Sequence, residues 1–273
     1  MGCKMPTLPE CKELILEQRG HALYITINRP KRRNAMSQRM VAEMNSVFEA
    51  IASNRECRAV VIRGAAGHFC AGGDLKDMSG ATEAVANGDP DAYVKLNRAF
   101  GRMLTFASRI PQVMIAALEG TVMGGGFGLA CISDWAIAHP SARFALPETS
   151  MGVPPAQIAP YVTARIGLTQ ARRLALFNVH VDAQEAKNLG IVHSVASDDA
   201  DFEALIEHAV TQVKRCAPQA NAMTKALLLR VGNEPLEGLL DDASKLFSDA
   251  VISGEGSEGT MAFVEKRKPS WTQ

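Results

Sequence analysis

The sequence has no surplus of charge of either sign, because 29 Lys and Arg residues balance 29 Asp and Glu residues over 273 positions. A balanced chain has no global field that would attract nucleic acid or an anionic membrane. It also lacks an unbroken apolar run of membrane-spanning length, because Glu119, three consecutive glycines and Asp134 interrupt its most apolar stretch, residues 113–138. An anionic ligand therefore has to be bound by a local group of donors.

Cysteine-based sites and targeting signals are lacking as well. The six cysteines show neither C-x-x-C spacing nor histidine-rich neighbours, which argues against a zinc site and a disulfide framework. We expect a reducing, cytoplasmic environment. No basic segment leads into an apolar one near the start, and Gly2-Cys3 is followed by Pro6 where a myristoylation signal has Ser or Thr. The sequence thus predicts no targeting segment.

The apolar pattern indicates an α/β chain whose strands lie mainly in its earlier part. Alternating apolar residues on both sides of Arg19-Gly20 predict two strands joined by a short turn, and Ser37 is a good N-cap for the amphipathic helix that follows. Buried strands are predicted at residues 59–62 and 113–118, whereas helical patterns dominate the later part of the chain. The length fits one large domain with a small helical appendage.

Three further segments refine this organisation. Residues 79–91 are rich in Gly, Ala, Asn and Asp, and we expect a mobile loop there. Asp182 and Glu185 form a capping box that predicts the start of a helix. Pro235 predicts the start of another long amphipathic helix.

The first motif with chemical potential is FCAGGDL, residues 69–75, which follows a predicted strand. Small residues and two glycines allow a sharp backbone turn, expose N–H groups and let a ligand approach the main chain. The motif is therefore a candidate cradle for an anion or oxyanion. A plain turn between a strand and a helix would use the same residues.

The second motif is GTVMGGGFG, residues 120–128, between an apolar strand and an apolar helix. Three glycines at a helix start are costly in conformational entropy, so their space or their free N–H donors must be needed. The motif has neither the spacing of a dinucleotide fingerprint nor the Gly-Lys-Ser/Thr of a phosphate loop. Close helix packing is the alternative explanation.

The third motif places a single carboxyl group, that of Glu148, between apolar residues and prolines. Partial desolvation raises the pKa of such a group and suits it to general acid–base catalysis. Glu148 is therefore the acid–base candidate. A lone glutamate can equally be a solvated turn residue.

Taken together and in this order, the three motifs resemble the enoyl-CoA hydratase/isomerase (crotonase) family over nearly the whole chain. Further support comes from Asn28-Arg29-Pro30, Asn34-Ala35-Met36, Asp134 and residues 186–192. The resemblance implies a spiral of β-β-α units over residues 1–200. It also implies a helical region over residues 201–273 that forms trimers, assembles as a dimer of trimers and closes the CoA site.

The resemblance also implies roles for individual residues. Ala71 and Gly125 would donate two N–H groups to the thioester oxygen of an acyl-CoA substrate, and Glu148 would activate water and pass a proton to the α-carbon. Met123, which directly precedes the three glycines of the second motif, would contact the acyl chain. No metal or redox cofactor is implied, because main-chain donors can stabilise the enolate. The remaining residues implied to contact CoA or the acyl group are Arg33, Ala35, Cys70, Gly72, Asp74, Leu75, Gly124, Gly128, Phe263 and Lys266.

One position departs from the common pattern of the family. Many hydratases carry a second glutamate where this chain has Gly128, so the usual pair of carboxylates is absent. Together with PPAQIAP, residues 154–160, this departure resembles a subgroup that hydrates branched glutaconyl-CoA thioesters, namely 3-methylglutaconyl-CoA of leucine breakdown and isohexenylglutaconyl-CoA of acyclic terpene breakdown. We expect a distal carboxylate or branch of the substrate to occupy the space left by Gly128.

Three other functions remain open at this point. A Δ3,Δ2-enoyl-CoA isomerase needs only one acid–base group and the same oxyanion cradle. A non-catalytic CoA thioester binding protein would keep the glycine turns without needing Glu148. A serine hydrolase would need Ser133 or His139 beside suitable partners, which the sequence does not indicate.

Overall fold

The computed structural model describes residues 7–272, and the side chains of Leu75 and Ser253 are outside this description. Gly2, Cys3 and Pro6, on which the expectation about lipid anchoring depended, lie outside the described residues. The strands are β1 (Leu14–Arg19), β2 (Ala22–Ile27), β3 (Ala59–Gly64), β4 (Val113–Leu118), β5 (Thr121–Met123), β6 (Trp135–Ala138), β7 (Arg143–Ala145), β8 (Val181–Asp182) and β9 (Ser194–Val195). The helices are α1 (Gln38–Ala52), α2 (Leu75–Ala86), α3 (Ala92–Arg109), α4 (Gly125–Ile132), α5 (Ala159–Phe177), α6 (Ala183–Asn188), α7 (Asp199–Arg215), α8 (Pro218–Leu228), α9 (Leu236–Ser253) and α10 (Glu255–Val264). Pro147–Met151 forms a short 3-10 helix.

The main sheet has six strands in the order β1-β2-β3-β4-β6-β9. Strands β1 and β2 form the predicted antiparallel hairpin, with Leu14 opposite Ile27, and all other neighbours in this sheet are parallel. Parallel strands buried on both faces require continuous apolar runs, and β3 and β4 supply them. A second sheet of three strands has the order β5-β7-β8 and begins where the second glycine motif lies.

The core occupies both faces of the main sheet. On one face, α1 contributes Met40, Met44 and Phe48, which pack with Phe127 of α4 and other buried residues. On the other face, Phe202, Ile206 and Val210 of α7 cover the strands. The expected division between residues 200 and 201 falls inside α7. Because α7 packs on the sheet, this helix belongs to the core.

Residues 79–91 do not form the mobile loop that we expected. They contain the rest of α2, which the Asp74 side chain caps by accepting a hydrogen bond from the Lys76 N–H at 2.9 Å, and the turn into α3. Alanine is the strongest helix former, and its frequency here together with the cap outweighs the glycines. The expectation was wrong because it gave too much weight to Gly and Asn. Gly88, with φ of +98°, lies in the turn that separates α2 from α3.

The capping predictions elsewhere are confirmed. Ser37 accepts a hydrogen bond from the Met40 N–H at 3.1 Å at the start of α1, and Asp182 accepts one from the Glu185 N–H at 2.8 Å at the start of α6. Pro235 immediately precedes α9. Within residues 7–272, no helix is both long enough and apolar enough to cross a membrane.

Candidate functional site

The two glycine motifs lie side by side, joined by backbone hydrogen bonds. The Cys70 N–H donates to the Thr121 carbonyl at 2.9 Å, and the Met123 N–H donates to the Cys70 carbonyl at 2.9 Å. These bonds form an isolated bridge between Cys70 and Val122. Motifs that begin at residues 69 and 120 of the chain thus form one surface.

Gly124 is the point where the glycine motifs and the glutamate motif meet. A Cβ atom at Gly124 would lie 3.4 Å from the Gly72 Cα and 2.9 Å from Oε1 of Glu148. Gly124 also has φ of +50° and ψ of −117°, a conformation that L side chains rarely adopt. A glycine is therefore required here both by the backbone conformation and by the close approach of the carboxyl group.

Two backbone N–H groups beside this point have no hydrogen-bond partner among residues 7–272. Gly125 is the first residue of α4, so its N–H is one of those that a helix leaves unpaired. The residues on either side of Gly73 are bonded to Met36: the Met36 N–H donates to the Gly72 carbonyl at 2.7 Å, and the Asp74 N–H donates to the Met36 carbonyl at 2.9 Å. The N–H of Gly73 itself takes part in neither bond. The dipole of α4 favours negative charge at the same place.

The structure corrects the expectation for Ala71. Its N–H donates to the Arg33 carbonyl at 3.0 Å and is therefore not available to a ligand. Gly73, two residues later, has the available N–H that the sequence analysis assigned to Ala71. Gly72 has φ of +97°, so the chain turns between the two positions. After this turn the N–H of Ala71 is engaged by the Arg33 carbonyl and the N–H of Gly73 is not engaged by any described residue, which the spacing alone did not reveal.

Glu148 has the environment expected of an acid–base group. Its Oε2 atom is buried and has no hydrogen-bond partner among the described residues. Burial raises the pKa of the Glu148 carboxyl above its usual range, and only a main-chain hydrogen bond opposes this shift. The carboxyl group lies at the end of β7, in the 3-10 helix Pro147–Met151.

The arrangement suits a reaction in which negative charge develops on an oxygen while a proton is transferred nearby. The N–H groups of Gly73 and Gly125 can donate to such an oxygen, and fixed donors of this kind typically contribute a few kcal/mol each to the stability of a transition state. Glu148 can accept or donate a proton within the same space. In the region that the structure describes, no group of three or more His, Cys, Asp or Glu side chains could hold a metal ion.

A buried network supports the first glycine motif. Arg29 forms ion pairs with Glu13 at 3.0 Å and with Asp74 at 2.5 Å. The fully buried Asn34 accepts a hydrogen bond from the Arg29 N–H and donates to the carbonyls of Ala65 and His68. The Asp74 carboxylate is thus engaged in capping α2 and in this ion pair, and its expected contact with CoA remains a prediction. The supporting role of Asn34 was missed, because its partners come from distant segments.

Four other residues that the sequence predicted to contact CoA differ in exposure. Cys70 is fully buried, and a Cβ at Gly126 would lie 2.7 Å from its Cβ. Its N–H and carbonyl groups are both engaged in the bridge to the second motif, so within this structure Cys70 holds the two motifs together. Burial raises the pKa of the Cys70 thiol to about 11. Arg33 is exposed and Ala35 is partly exposed at the edge of the same surface. The side chain of Leu75 lies outside the description.

The space beside Gly128 is already filled. A Cβ at Gly128 would lie 2.4 Å from Cγ2 of Ile158 and 3.5 Å from Cδ1 of Leu104. The expectation that a substrate group enters this space is therefore wrong: Ile158 takes it. Ile158 lies inside PPAQIAP, the segment that together with Gly128 carries the resemblance to the glutaconyl-CoA subgroup. The structure links this segment to Gly128 through the Ile158 contact.

Other residues expected at the site are more dispersed. Met123 is partly exposed at the end of β5, directly before Gly124, where its expected contact with an acyl chain remains a prediction. Phe100, which sequence analysis missed, lies with its Cζ atom 3.2 Å from where a Cβ of Gly125 would be. Phe263 and Lys266 lie at and after the end of α10, and Phe263 is 85% exposed within this chain.

Ser133 and His139, considered for a serine hydrolase, are not paired. The Ser133 hydroxyl donates to the Ala130 carbonyl at 2.7 Å, whereas the His139 ring contacts Ser141 and Asp199. Asp134 accepts hydrogen bonds from the Met114 N–H and from Lys225 Nζ, both at 2.7 Å, so it has a structural role. Ser133 and His139 therefore do not form the pair that was considered for a serine hydrolase.

Comparisons with known proteins agree with this geometry. The model of the family described as "Enoyl-CoA hydratase/isomerase" matches residues 17–273. A probable enoyl-CoA hydratase of Mycobacterium leprae is 34% identical over 91% of this chain and 93% of its own length. A 2,3-dehydroadipyl-CoA hydratase of Escherichia coli is 30% identical over 95% of this chain and 98% of its own length.

Solved structures are similar over almost the same span. The crystal structure of an enoyl-CoA hydratase/isomerase from Marinobacter aquaeolei has 54% sequence identity and a TM-score of 0.92, and covers 96% of this chain and 100% of that chain. The protein AtuE of Pseudomonas aeruginosa has 55% identity and a TM-score of 0.93, with the same coverage of both chains. The crotonase-type fold expected from the sequence is thereby confirmed.

Proposed function

Because this chain belongs to the enoyl-CoA hydratase/isomerase family, we propose that it hydrates the 2,3 double bond of a CoA thioester whose acyl group is a branched glutaconyl acid. The observation that carries the proposal is the meeting of the Glu148 carboxyl group with the glycine motifs at Gly124. Glu148 is the acid–base residue, and the N–H groups of Gly73 and Gly125 are the oxyanion donors. The enzyme is a lyase of the hydro-lyase class.

The reaction uses Glu148 twice. As a carboxylate, it removes a proton from water while the water oxygen bonds to the β-carbon, and the electron pair of the double bond moves to form an enolate. The two main-chain N–H groups stabilise the negative charge that the thioester oxygen then carries. The protonated Glu148 delivers the proton to the α-carbon, so that the substrate gains one molecule of water.

The environment of Glu148 supports this double role. Because burial raises the pKa of its carboxyl group, both the protonated and the ionised forms become accessible closer to neutral pH. The unpaired Oε2 atom leaves a lone pair for water or for the transferred proton. Main-chain donors replace a metal ion in stabilising the enolate, and the proposal needs no cofactor apart from the CoA of the substrate.

The choice of a glutaconyl substrate depends on the sequence resemblance and on one relative. The combination of Gly128 with PPAQIAP resembles the subgroup that acts on 3-methylglutaconyl-CoA or isohexenylglutaconyl-CoA. The relative from Escherichia coli is named for 2,3-dehydroadipyl-CoA, whose acyl group is also a dicarboxylic acid. A substrate with a distal carboxylate is therefore our first candidate.

A second candidate is isomerisation of a 3-enoyl-CoA to a 2-enoyl-CoA. The packing of Ile158 against Gly128 favours it, because the space for a second carboxylate is filled and one carboxyl group can move a proton between two carbons. Hydration and isomerisation differ in the mass of the product.

We also propose that the functional form is a homotrimer or a dimer of trimers. Many large apolar side chains of α9 and α10 are exposed in the single chain, and a patch of this kind is typical of a contact with another subunit. In such an assembly, the expected contacts of Phe263 and Lys266 would be with the CoA of a neighbouring subunit. The exposed residues are Leu236, Leu240, Phe247, Val251, Ile252, Met261, Phe263 and Val264.

The test compares crotonyl-CoA, 3-methylglutaconyl-CoA and isohexenylglutaconyl-CoA, with loss of enoyl absorbance and product mass as readouts. We expect a gain of one water that is largest for the glutaconyl substrates, and a loss of about 10²–10⁴-fold in kcat for Glu148→Gln. Glu237→Gln, a change at an exposed carboxyl group of α9, is the matched control. Conversion of 3-enoyl to 2-enoyl thioesters at unchanged mass, without hydration, would instead establish an isomerase.

Retention of full activity by Glu148→Gln would contradict both catalytic proposals. If no thioester were converted, tight binding of CoA thioesters that is unaffected by Glu148→Gln would indicate a non-catalytic binding protein.

A further inference from the structure

Arg98 of α3 is an exposed cation with a neutral partner. Its Nη1 atom donates to Oε1 of Gln157 at 3.2 Å, and Nε2 of Gln157 donates to Oδ1 of Asn97 at 2.7 Å. Among residues 7–272, no carboxylate forms an ion pair with Arg98. In the turn before α3, Asp89 pairs with Lys95 at 2.8 Å and not with Arg98.

Arg98 and Gln157 lie beside residues that contact the first turn of α4. Two positions after Arg98, Phe100 approaches Gly125 within 3.2 Å of its Cβ position. Directly after Gln157, Ile158 packs against Gly128. The Arg98–Gln157 pair therefore joins α3 to the segment before α5, the two elements that place Phe100 and Ile158 against α4.

Gly101 makes room for this pair. A Cβ at Gly101 would lie 1.8 Å from Oε1 of Gln157 and 2.7 Å from Nη1 of Arg98. Glycine in the interior of a helix is unfavourable relative to alanine, so its presence in the middle of α3 needs a reason. The close approach of the Gln157 amide and the Arg98 guanidinium supplies one.

We infer that Arg98, oriented by Gln157, binds the distal carboxylate of a dicarboxylic acyl-CoA substrate. A guanidinium group has five N–H donors, and the bond to Gln157 engages only one nitrogen, which leaves donors for a bidentate contact with a carboxylate. Ile158 closes the space at Gly128, so the distal carboxylate is bound along α3 instead. The inference rests on the proposed hydration and adds the residue that selects the substrate.

The experiment compares glutaconyl-CoA with 2-pentenoyl-CoA, which has a methyl group in place of the distal carboxylate. For the wild type we expect a higher kcat/KM with glutaconyl-CoA. Arg98→Gln should lower kcat/KM for glutaconyl-CoA by about 10- to 100-fold, mainly through KM, because it removes a charge-assisted hydrogen bond. The same variant should change kcat/KM for 2-pentenoyl-CoA by less than about twofold, and Arg98→Lys should restore part of the preference.

Two further variants separate recognition from general effects. Gly101→Ala keeps the charge of Arg98 but displaces the pair, so it should also reduce the preference for glutaconyl-CoA. Arg109→Gln removes the same charge from the exposed end of α3, about 16 Å along the helix axis, and should leave both substrates unaffected. Equal losses on both substrates for Arg98→Gln, or no loss on either, would overturn the inference.

The outcome for 2-pentenoyl-CoA tests the proposed function separately. If the wild type hydrates it and Glu148→Gln does not, the hydratase proposal stands whatever Arg98 does. If neither substrate gains water, the hydratase proposal fails, and the affinity for glutaconyl-CoA measured by calorimetry tests Arg98 alone. A Kd at least about tenfold weaker in Arg98→Gln than in Arg109→Gln supports carboxylate recognition, and equal Kd values refute it.

Discussion

Ile158 fills the space that a side chain at position 128 would occupy, since its Cγ2 atom lies 2.4 Å from the Cβ position of Gly128. Both residues are buried, so neither can move into solvent to relieve a clash. The loss of a second carboxylate from α4 is therefore coupled to an apolar residue from a different segment. Restoring a glutamate at position 128 alone would not create the usual pair of carboxylates.

Gly128→Ala should consequently destabilise the protein by about 1–3 kcal/mol, because it overpacks a buried contact. Ile158→Ala should destabilise it as well, because it leaves a cavity. In the double variant the new methyl group occupies part of that cavity, so the two losses should not add. Urea unfolding of the four proteins measures this coupling, and strictly additive losses would show that the two side chains do not compete for one space.

Gly124→Ala should lower kcat by at least about tenfold, because the new Cβ atom would lie 2.9 Å from Oε1 of Glu148 and displace the carboxyl group. The backbone conformation adds strain, since φ is +50°. Gly232→Ala is the matched control, because Gly232 has φ of +79° but no atom within 4 Å of its Cβ position. It should share the backbone strain and leave kcat unchanged, whereas equal losses of kcat would mean that strain alone explains the effect.

The sequence predicted where the site lies but not which groups are available in it. Local spacing identified both glycine turns and Glu148, because sharp turns and prolines leave a clear pattern. It failed for Ala71, since the carbonyl that engages its N–H belongs to Arg33, nearly 40 residues earlier. It also failed for Gly128, because the contact with Ile158 is tertiary. Hydrogen-bond partners and packing neighbours from distant segments have no local signature.

The fold was more predictable, and its one clear failure has a local cause. The β1–β2 hairpin and helix α1 follow from apolar periodicity and capping residues. Helix α2 was missed because its glycine and the Asn-Gly that follows it suggested a loop, although Asp74 provides a cap. The two-residue strands β8 and β9 are too short to have a recognisable period.

The raised pKa of Glu148 predicts how stability depends on pH. In the unfolded chain its carboxyl group titrates at its usual value of 4.5. Because burial raises the folded-state pKa, the folded protein holds the proton more tightly, and ionisation progressively destabilises it as the pH rises from the unfolded value through the folded one. Glu148→Gln should therefore be more stable than the wild type at neutral pH, with the difference vanishing below about pH 4. Thermal unfolding across this range measures it, and a constant difference would contradict the assignment.

The same group predicts the acid limb of the activity profile. Hydration begins with the ionised form of Glu148, so kcat/KM should fall as the pH decreases through its raised pKa. The midpoint should lie above 4.5, the usual value for this carboxyl group. Measurements with a substrate that does not titrate in the range, such as 2-pentenoyl-CoA, locate the midpoint. An acid limb centred at or below the usual value would show that burial does not control this carboxyl group.

Asp74 both caps α2 and forms an ion pair with Arg29, and one substitution can remove the ion pair while keeping the cap. Asp74→Asn retains a good N-cap for α2, because Asn and Asp are about equally favourable there, but it leaves the partly buried Arg29 with one ion pair instead of two. We expect a loss of about 3 kcal/mol in the free energy of unfolding, the lower end of the range for buried pairs from which one partner is removed, because Arg29 keeps its ion pair with Glu13. Asp91→Asn, at the start of α3, is the control, because the Asp91 side chain makes no capping bond. If the two variants unfolded at the same urea concentration, the network around Arg29 would contribute little to the position of the first glycine motif.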